Sequence, residues 1–312
     1  MDNFSMKCRF IALGVRLSVV IACAGSMRAG MIHVPNGSFE SPTTSYVRIN
    51  IDSWQEMPKP DWYVEDGSFL WTQLTGIFRN SAPGNLDHIH NIHGTQALWL
   101  FAVPDVGLFQ DYDSQDWNDS EPSHAFDATF TVGKAYQLTT GVIGRGGNMP
   151  TGATLELSLY YRDATSNKVA VATTIITNSP ALFPDTTNFV DFNVVVPTVR
   201  DGDPWAGEHI GIQFLSTTTT NLQGGYWDLD NVRLMEIKPP ELSSPVWTNN
   251  QLRVSLTGET NSVFEMLSTT NPALPASEWT VVGTLTNESG TVSFVDTSGV
   301  FEQRYYQARQ LP

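Results

Sequence analysis

The chain has 312 residues, a formal charge of −15 and a sequence isoelectric point near 4.6. This length predicts two domains, each large enough to bury a core. This acidic balance argues against nucleic acids and anionic membranes as partners, because both require a basic surface. No apolar run after the N-terminal segment approaches the roughly 18 residues of a membrane span.

The N-terminal segment predicts a secretory signal peptide over residues 1–29. Lys7 and Arg9 precede the apolar run 17–24, the usual order of a signal sequence. Cleavage is expected between Ala24 and Ala29. We therefore expect a secreted or cell-surface protein.

Both cysteines, Cys8 and Cys23, fall inside this predicted signal peptide. The cleaved chain would then hold no disulfide, thiolate metal site or cysteine nucleophile. Residues 20–23 also resemble a bacterial lipoprotein cleavage box. In that alternative, Cys23 would carry a lipid anchor.

Residues 30–237 predict an all-β domain. Threonine, valine and aromatic residues are frequent, and turns rich in Gly, Pro, Asn and Asp recur between them. The predicted strands are 96–101, 125–131, 136–143, 154–161, 169–176, 190–196 and 209–216. Such spacing is typical of a β-sandwich.

The stretch 224–234 predicts a strand that follows a glycine pair. Alternation places Asp230 on the same face as the core residues Val232 and Leu234. A carboxylate on such a face is costly unless a cation or a hydrogen-bond donor neutralises it. Calcium collects carboxylate and carbonyl oxygens and is the favoured candidate. In the alternative, Glu40 and Asp230 form salt bridges or cap a turn.

Residues 36–42 (NGSFESP) and 230–234 (DNVRL) resemble the first and last strands of the carbohydrate-binding-module jelly roll. This is the galactose-binding-domain-like sandwich of many secreted bacterial proteins. The same family resemblance is carried by 94–100, 108–110, 130–138 and 207–212. It covers roughly 32–237 and implies a jelly roll that binds a structural calcium through Ser38, Glu40 and Asp230.

Aromatic residues with interleaved acids lie between the first predicted strand and Tyr136. Sugar rings stack on aromatic faces, while Asp, Asn and Gln bind their hydroxyls. The ligand-binding candidates are Asp61, Trp62, Tyr63, Trp71, Asp116, Trp117 and Asn118. In the alternative these rings pack in the ordinary way, as we expect for Trp99 in its apolar run.

A histidine cluster occupies residues 87–93 (DHIHNIH). In an extended chain His88 and His90 point to one side, where two imidazoles can chelate a transition metal or act as acid and base. His93 would extend the set, with Asp87 or His124 as further candidates. A solvated loop is the alternative.

Residues 238–245 contain three prolines and predict a semi-rigid linker. The strands predicted beyond it are 251–257, 262–268, 280–285, 291–296 and 304–309. Residues 246–312 resemble the short immunoglobulin-like domains of secreted Verrucomicrobia-like and planctomycete-like bacterial proteins. The motifs that carry this resemblance are 264–270, 278–279, 290–296 and 304–309. Trp279 and Tyr306 are expected in its core.

Taken together, these patterns favour a secreted, non-catalytic glycan-binding protein with a structural calcium, and they lean against an enzyme. The alternative is an enzyme on the same jelly roll, because some calcium-binding relatives of this fold are cyclases. It would cleave polysaccharides or act as a cyclase-type acid catalyst on a hydrophobic small molecule, through a loop Asp or the cluster of His88, His90 and His93. A third alternative is a structural cell-surface protein. Exposed tryptophans would favour glycan binding, and an enclosed carboxylic acid would favour an enzyme.

Overall fold

The computed structural model describes residues 8–11 and 30–311, apart from 66, 68, 238–239, 249–250, 259, 261, 273, 275–277 and 298–302. Strands make up 47% of it and helix 2%, so the predicted all-β sandwich is confirmed. Within this part of the chain, no helix is long and apolar enough to cross a membrane. The chain forms two compact units, one of Met31–Met235 and one that starts at Glu236 and includes the N-terminal strand.

Two antiparallel sheets build the first unit, with one short 3-10 helix at Trp71–Gln73. Its strands are β2 (Gly30–Ile32), β3 (Val47–Arg48), β4 (Gln55–Glu56), β5 (Thr75–Arg79), β6 (Gln96–Phe101), β7 (Gly107–Gln110), β8 (Ala135–Gly146), β9 (Thr154–Arg162), β10 (Lys168–Thr177), β11 (Val190–Val196), β12 (Gly211–Ser216) and β13 (Tyr226–Ile237). The larger sheet has the order β11-β8-β13-β6-β5-β3, with β2 also paired to β13. The smaller sheet has the order β10-β9-β12-β7-β4.

The core of this unit contains residues from both sheets. Leu98 and Leu100 of β6 belong to the same buried cluster as Leu157 of β9 and Phe214 of β12. Alternate positions of β6, β9 and β12 enter this cluster, as period-two patterning requires. We call the opposite side of the larger sheet its outer face.

Strand β13 changes face within its length. The core residues of this strand are Trp227, Leu229, Val232 and Leu234. Consecutive core residues are two positions apart, except that Leu229 and Val232 are three apart. Asn231 lies at the break with a left-handed φ of 54°, which acts as a β-bulge. Asp228 and Asp230 precede the break and therefore lie on the outer face. The prediction that Asp230 shares a face with the core residues after it is wrong, because the bulge shifts the alternation.

Two other predicted strands of this unit are also wrong. Residues 36–42 form turns, because Asn36 and Phe39 both adopt left-handed φ values, 47° and 54°. At 125–131, Phe126 and Phe130 are buried in alternation, but the only pairing recorded in the described structure is an isolated bridge between Thr129 and His209. Alternate burial thus produced the pattern of a strand without a full ladder of hydrogen bonds.

The second unit contains two small antiparallel sheets. Its strands are β1 (Cys8–Ile11), β14 (Glu241–Thr248), β15 (Gln251–Thr257), β16 (Ser262–Thr269), β17 (Thr280–Asn287), β18 (Thr291–Asp296) and β19 (Gln303–Gln310). One sheet has the order β1-β19-β16-β17 and the other β14-β15-β18. Trp279 and Tyr306 are 6% and 3% exposed, which confirms them as core residues. The immunoglobulin-like assignment stays a prediction.

The predicted linker 238–245 is wrong beyond Pro240, since β14 begins at Glu241. Residues 238–239 lie outside the described residues. The ladder between β14 and β15 shifts register between Ser243 and Val246, and this irregularity accommodates Pro245 in a strand. Of the predicted signal peptide 1–29, the structure describes only β1. The signal peptide therefore stays a prediction.

Candidate functional site

Asp228 is a buried carboxyl group on the outer face of the larger sheet. The residue is 9% exposed, and its Oδ1 is buried without a hydrogen-bond partner in the described structure. Burial raises the pKa of Asp228 to about 8, because no neighbouring charge or donor compensates for lost hydration. At pH 7 this shift favours the neutral carboxylic acid form of Asp228. A strongly perturbed carboxyl of this kind is a candidate for acid catalysis.

Aromatic residues lie around Asp228 on this face, on the side away from Asp230. Asp228 is the cross-strand partner of Trp99 on β6, and Tyr226 lies two positions before it on the same face. The Tyr226 ring lies 6.1 Å from that of Phe101, the next outward residue of β6. The expectation that Trp99 is a core residue is wrong, because it faces outward while Leu98 and Leu100 face the core. We call Trp99, Phe101, Tyr226 and Asp228 the outer-face site.

Gly76 of β5 lets the Trp99 ring lie flat on the sheet. A Cβ at Gly76 would overlap the Trp99 ring and come within 2.6 Å of the Arg48 carbonyl oxygen. We expect Gly76→Ala to displace Trp99 and to lower the free energy of unfolding by about 1–3 kcal/mol. Gly202→Ala is the matched control, because a Cβ there meets nothing within 4 Å. Urea unfolding of both variants checks this, and equal midpoints would contradict it.

The residues predicted to bind calcium come together beside the outer-face site. Glu40 Oε1 accepts hydrogen bonds from the Thr95 and Gln96 backbone N–H groups, both at 2.7 Å. Asp230 Oδ2 accepts one from the His93 backbone N–H at 2.6 Å. Both carboxylates thus bind the single segment 93–96, although 190 residues separate them in sequence.

The electrostatics of this pair suit a hard cation. Burial raises the pKa of Asp230 to about 7, backbone N–H donors oppose the shift, and the charge of Glu40 adds to it. Asp230 also lines a pocket of about 230 Å³ with Asn91, Asp191 and Asn231. In the described part of the chain, no group of three acidic, histidine or cysteine side chains is placed to hold a metal. A calcium here would therefore need carbonyl or water oxygens as well, and calcium stays a prediction.

The histidine cluster is divided in the structure. His93 Nδ1 lies 2.7 Å from Ser38 Oγ, which places both residues next to the Glu40 and Asp230 pair. His88 Nδ1 instead lies 2.7 Å from the Ser81 carbonyl oxygen. The His88 and His90 ring centroids are 5.3 Å apart. The transition-metal hypothesis for these two residues remains untested.

The predicted glycan-binding residues occupy different environments. Trp71 is 6% exposed and donates its indole N–H to the Met57 carbonyl oxygen, so packing explains it. Its ring contacts Tyr63 and Trp62, of which Trp62 is 45% exposed and Tyr63 half-buried. Asp61 is exposed beside them.

The remaining predicted residues lie elsewhere on the first unit. Trp117 is 46% exposed, with the Arg48 guanidinium 4.9 Å from its ring centroid. Asn118 is exposed next to it, and Asp116 accepts a hydrogen bond from Ser53 Oγ. Asp111, on the same unit, is bound by Arg162 and Tyr160, which makes it structural.

Asp228 was not among the predicted site residues. The signal that marks it is the run Tyr226-Trp227-Asp228-Leu229-Asp230, in which two acids alternate with large apolar residues. Alternation puts both acids on one face, but the face itself depends on the bulge at Asn231. The sequence therefore indicates that the two acids share a face. It does not show that Asp230 accepts hydrogen bonds while Asp228 Oδ1 has no partner in the described structure.

Three solved structures are similar to part of this chain. The first is a cyclase from Fischerella sp. TAU, with 19% identity over 67% of this chain and 98% of that chain and a TM-score of 0.48. The second is the Stig cyclase Fisc from the same source in complex with (3Z)-3-(1-methyl-2-pyrrolidinylidene)-3H-indole, with 20% identity over 67% of this chain and 98% of that chain and a TM-score of 0.47. The third is the CBM22-1 xylan-binding domain of Paenibacillus barcinonensis Xyn10C, with 13% identity over 69% of this chain and 99% of that chain and a TM-score of 0.36. No curated protein matches the chain.

A family model described as HpiC1-like, HpiC1 cyclase, matches residues 30–235. It is the model of an enzyme family, so the lean toward a non-catalytic protein is wrong. The match spans the whole described sandwich and more than half of the chain. The protein therefore belongs to the HpiC1-like cyclase family.

Proposed function

We propose that this protein is a cyclase that protonates an apolar, unsaturated small molecule, with Asp228 as the proton donor. The observation that carries the proposal is the burial of Asp228 without a partner for its Oδ1 on an aromatic face. Membership of a cyclase family supports the reaction class. Export through the signal peptide 1–29 and a structural calcium held by Glu40 and Asp230 complete the proposal.

The steps follow from the chemistry of a neutral carboxylic acid. Asp228 transfers its proton to one carbon of a substrate double bond, which forms a C–H bond and leaves a cation on the other carbon. A second double bond of the same molecule attacks that cation and closes the ring. Loss of a proton to the Asp228 carboxylate restores the acid. The product is an isomer of the substrate, and no oxidant or reductant is consumed.

The aromatic neighbours would stabilise the cation that this step creates. Trp99 and Tyr226 present electron-rich rings on the outer face, and such rings attract cations by about 0.5–2 kcal/mol each. The Asp228 carboxylate formed by proton transfer would be the counter-ion. Its low exposure limits water, which would otherwise capture the cation as an alcohol.

Deuterium incorporation tests the proton transfer without knowledge of the natural substrate. The protein is incubated in D₂O with a panel of apolar dienes and electron-rich arenes, and mass spectrometry measures deuterium bound to carbon. We expect incorporation by the wild type, and loss of it in Asp228→Asn. Incorporation that survives in Asp228→Asn would overturn Asp228 as the acid, and ring closure without deuterium uptake would overturn the proton transfer.

A second candidate function is glycan binding, which the exposure of Trp62 favours. Its indole N–H donates to Asp105 Oδ2 at 2.9 Å, which fixes the ring while leaving 45% of the residue exposed. Asp61 lies next to it as a hydroxyl partner. The domain named above is described as xylan-binding, but the similarity between it and this chain concerns the fold alone. Titration of Trp62→Ala and wild type with xylohexaose, followed by tryptophan fluorescence, separates the two functions.

A further inference from the structure

The first unit contains a second cavity, at the edge strand β4 of the smaller sheet. Its volume is about 320 Å³. We call it the edge pocket and define it by Trp54, Gln55, Glu56, Gln115, Asp116 and Trp117, which line it. The outer-face site lies on the larger sheet and shares none of these residues.

Glu56 brings a carboxyl group into this pocket without a cationic partner. It is the cross-strand neighbour of the core residue Leu108, so its side chain is directed between the two sheets. Its Oε1 accepts a hydrogen bond from Thr75 Oγ1 at 2.7 Å. Burial raises the pKa of Glu56 to about 7, and the Thr75 hydrogen bond opposes the shift. Among the described residues, no Lys, Arg or His forms an ion pair with it.

Gln55 precedes Glu56 on β4 and faces the opposite side of the strand, because its cross-strand neighbour is Phe109. Its Nε2 donates to the Gln115 carbonyl oxygen at 2.8 Å, and this bond fixes the orientation of the amide. The Gln55 Oε1 is consequently buried, and it has no hydrogen-bond partner within the described structure. Gln55 Oε1 therefore does not face a ligand bound at Glu56, and the acceptor that the edge pocket offers is the Glu56 carboxylate, whose one hydrogen bond within the described structure comes from Thr75.

The charge around the pocket also favours a cation. Asp116 is a second acid in the lining, and the chain carries a formal charge of −15. The Trp117 indole already holds the Arg48 guanidinium 4.9 Å from its ring centroid, so this ring accepts a cation within the protein itself. A neutral ligand would leave the buried carboxyl group without compensation.

We propose that the edge pocket binds a small organic cation that carries N–H donors, an alkylammonium or guanidinium compound. The cation would donate to the Glu56 carboxylate, and its apolar part would lie against Trp117. This inference does not depend on the proposed cyclase activity, because the two sites use different residues on different sheets.

Calorimetric titration of the whole protein with benzylamine tests the proposal, with benzyl alcohol as the neutral isostere and xylose as a neutral sugar. Binding of the cation requires ionised Glu56, and a pKa of about 7 ionises it to about a tenth at pH 6 and nine tenths at pH 8. We expect the affinity for benzylamine to rise about tenfold from pH 6 to pH 8. Benzyl alcohol and xylose should bind weakly and without this pH dependence.

Variants locate the site. Glu56→Gln keeps the shape of the side chain and should abolish the pH dependence, while Trp117→Leu changes an exposed residue and should weaken binding several-fold. Glu156→Gln is the matched control, because burial also raises the pKa of Glu156 but it lies on β9 outside the pocket. Asp228→Asn should bind benzylamine as the wild type does.

Three results would overturn the proposal. The first is equal affinity for benzylamine and benzyl alcohol at pH 8. The second is benzylamine binding that survives unchanged in both Glu56→Gln and Trp117→Leu, which would place the ligand elsewhere. The third is the absence of saturable binding at millimolar benzylamine, which would mean that the cavity holds water only. Thermal unfolding of each variant shows whether a loss of binding reflects loss of the fold.

Discussion

Asp228→Asn is expected to abolish cyclisation and, at pH 8, to make the protein more stable. Asparagine has nearly the shape of aspartic acid but cannot supply the catalytic proton. Removal of a general acid lowers rates by about 10²–10⁴-fold. The same change removes a buried carboxyl group that burial destabilises in its ionised form.

The direction of the stability change follows from linkage. The pKa of Asp228 is about 8 in the folded protein against 3.8 for an unperturbed aspartate. Between these two values folding therefore takes up a proton at Asp228, and the stability that Asp228 contributes is full below pH 4 and is lost as the pH rises toward 8. Asparagine does not titrate, so the free energy of unfolding of the variant rises relative to that of the wild type between pH 4 and pH 8. After a reduction for relaxation and hydration, we expect a gain of roughly 2 kcal/mol at pH 8.

Urea unfolding at pH 4, 6 and 8 measures this gain, with EDTA present so that no cation at Asp230 alters the result. Asp119→Asn is the control, because Asp119 is exposed and its replacement should leave the pH dependence unchanged. An active Asp228→Asn protein would contradict the catalytic role. A stability difference that is the same at all three pH values would contradict the neutral state of the buried acid.

The strands were predictable from sequence wherever alternation coincided with a hydrogen-bonded ladder. The predicted bounds of β6, β11, β15 and β18 agree with the structure. Prediction was wrong at 125–131, where burial alternates but, within the described structure, backbone hydrogen bonds pair only residues 128–130 with 207–210. It was wrong again at 241–245, where prolines in an irregular edge strand had suggested a linker.

The candidate site was predictable only in part, because faces and partners depend on tertiary structure. The family resemblance paired Glu40 with Asp230, and in the structure both carboxylates accept hydrogen bonds from the backbone of the segment 93–96. Asp228 was missed because a single left-handed residue, Asn231, decides which face it occupies. Trp71 was assigned to a ligand although it is buried, since composition alone does not distinguish a packed indole from an exposed one.

Removal of calcium is expected to destabilise the first unit, because Glu40 and Asp230 would then lie close together without a cation. A ligand that binds only the folded state at 100 times its Kd stabilises that state by about 2.7 kcal/mol. Thermal unfolding should therefore show a clear loss of Tm in EDTA and its recovery on addition of calcium. The expected loss is several degrees for a domain of this size.

Variants at the two carboxylates distinguish this site from a non-specific effect of calcium. Asp230→Asn and Glu40→Gln should each remove the response to calcium, whereas Asp61→Asn, which changes an exposed acid, should retain it. Zinc added after EDTA should not substitute for calcium, because zinc prefers nitrogen and sulfur ligands. Stabilisation by zinc that disappears in His88→Ala would instead assign the metal to the pair of His88 and His90. A Tm that is equal with calcium and with EDTA would leave Glu40 and Asp230 as ligands of the 93–96 backbone alone, and the calcium proposal would be wrong.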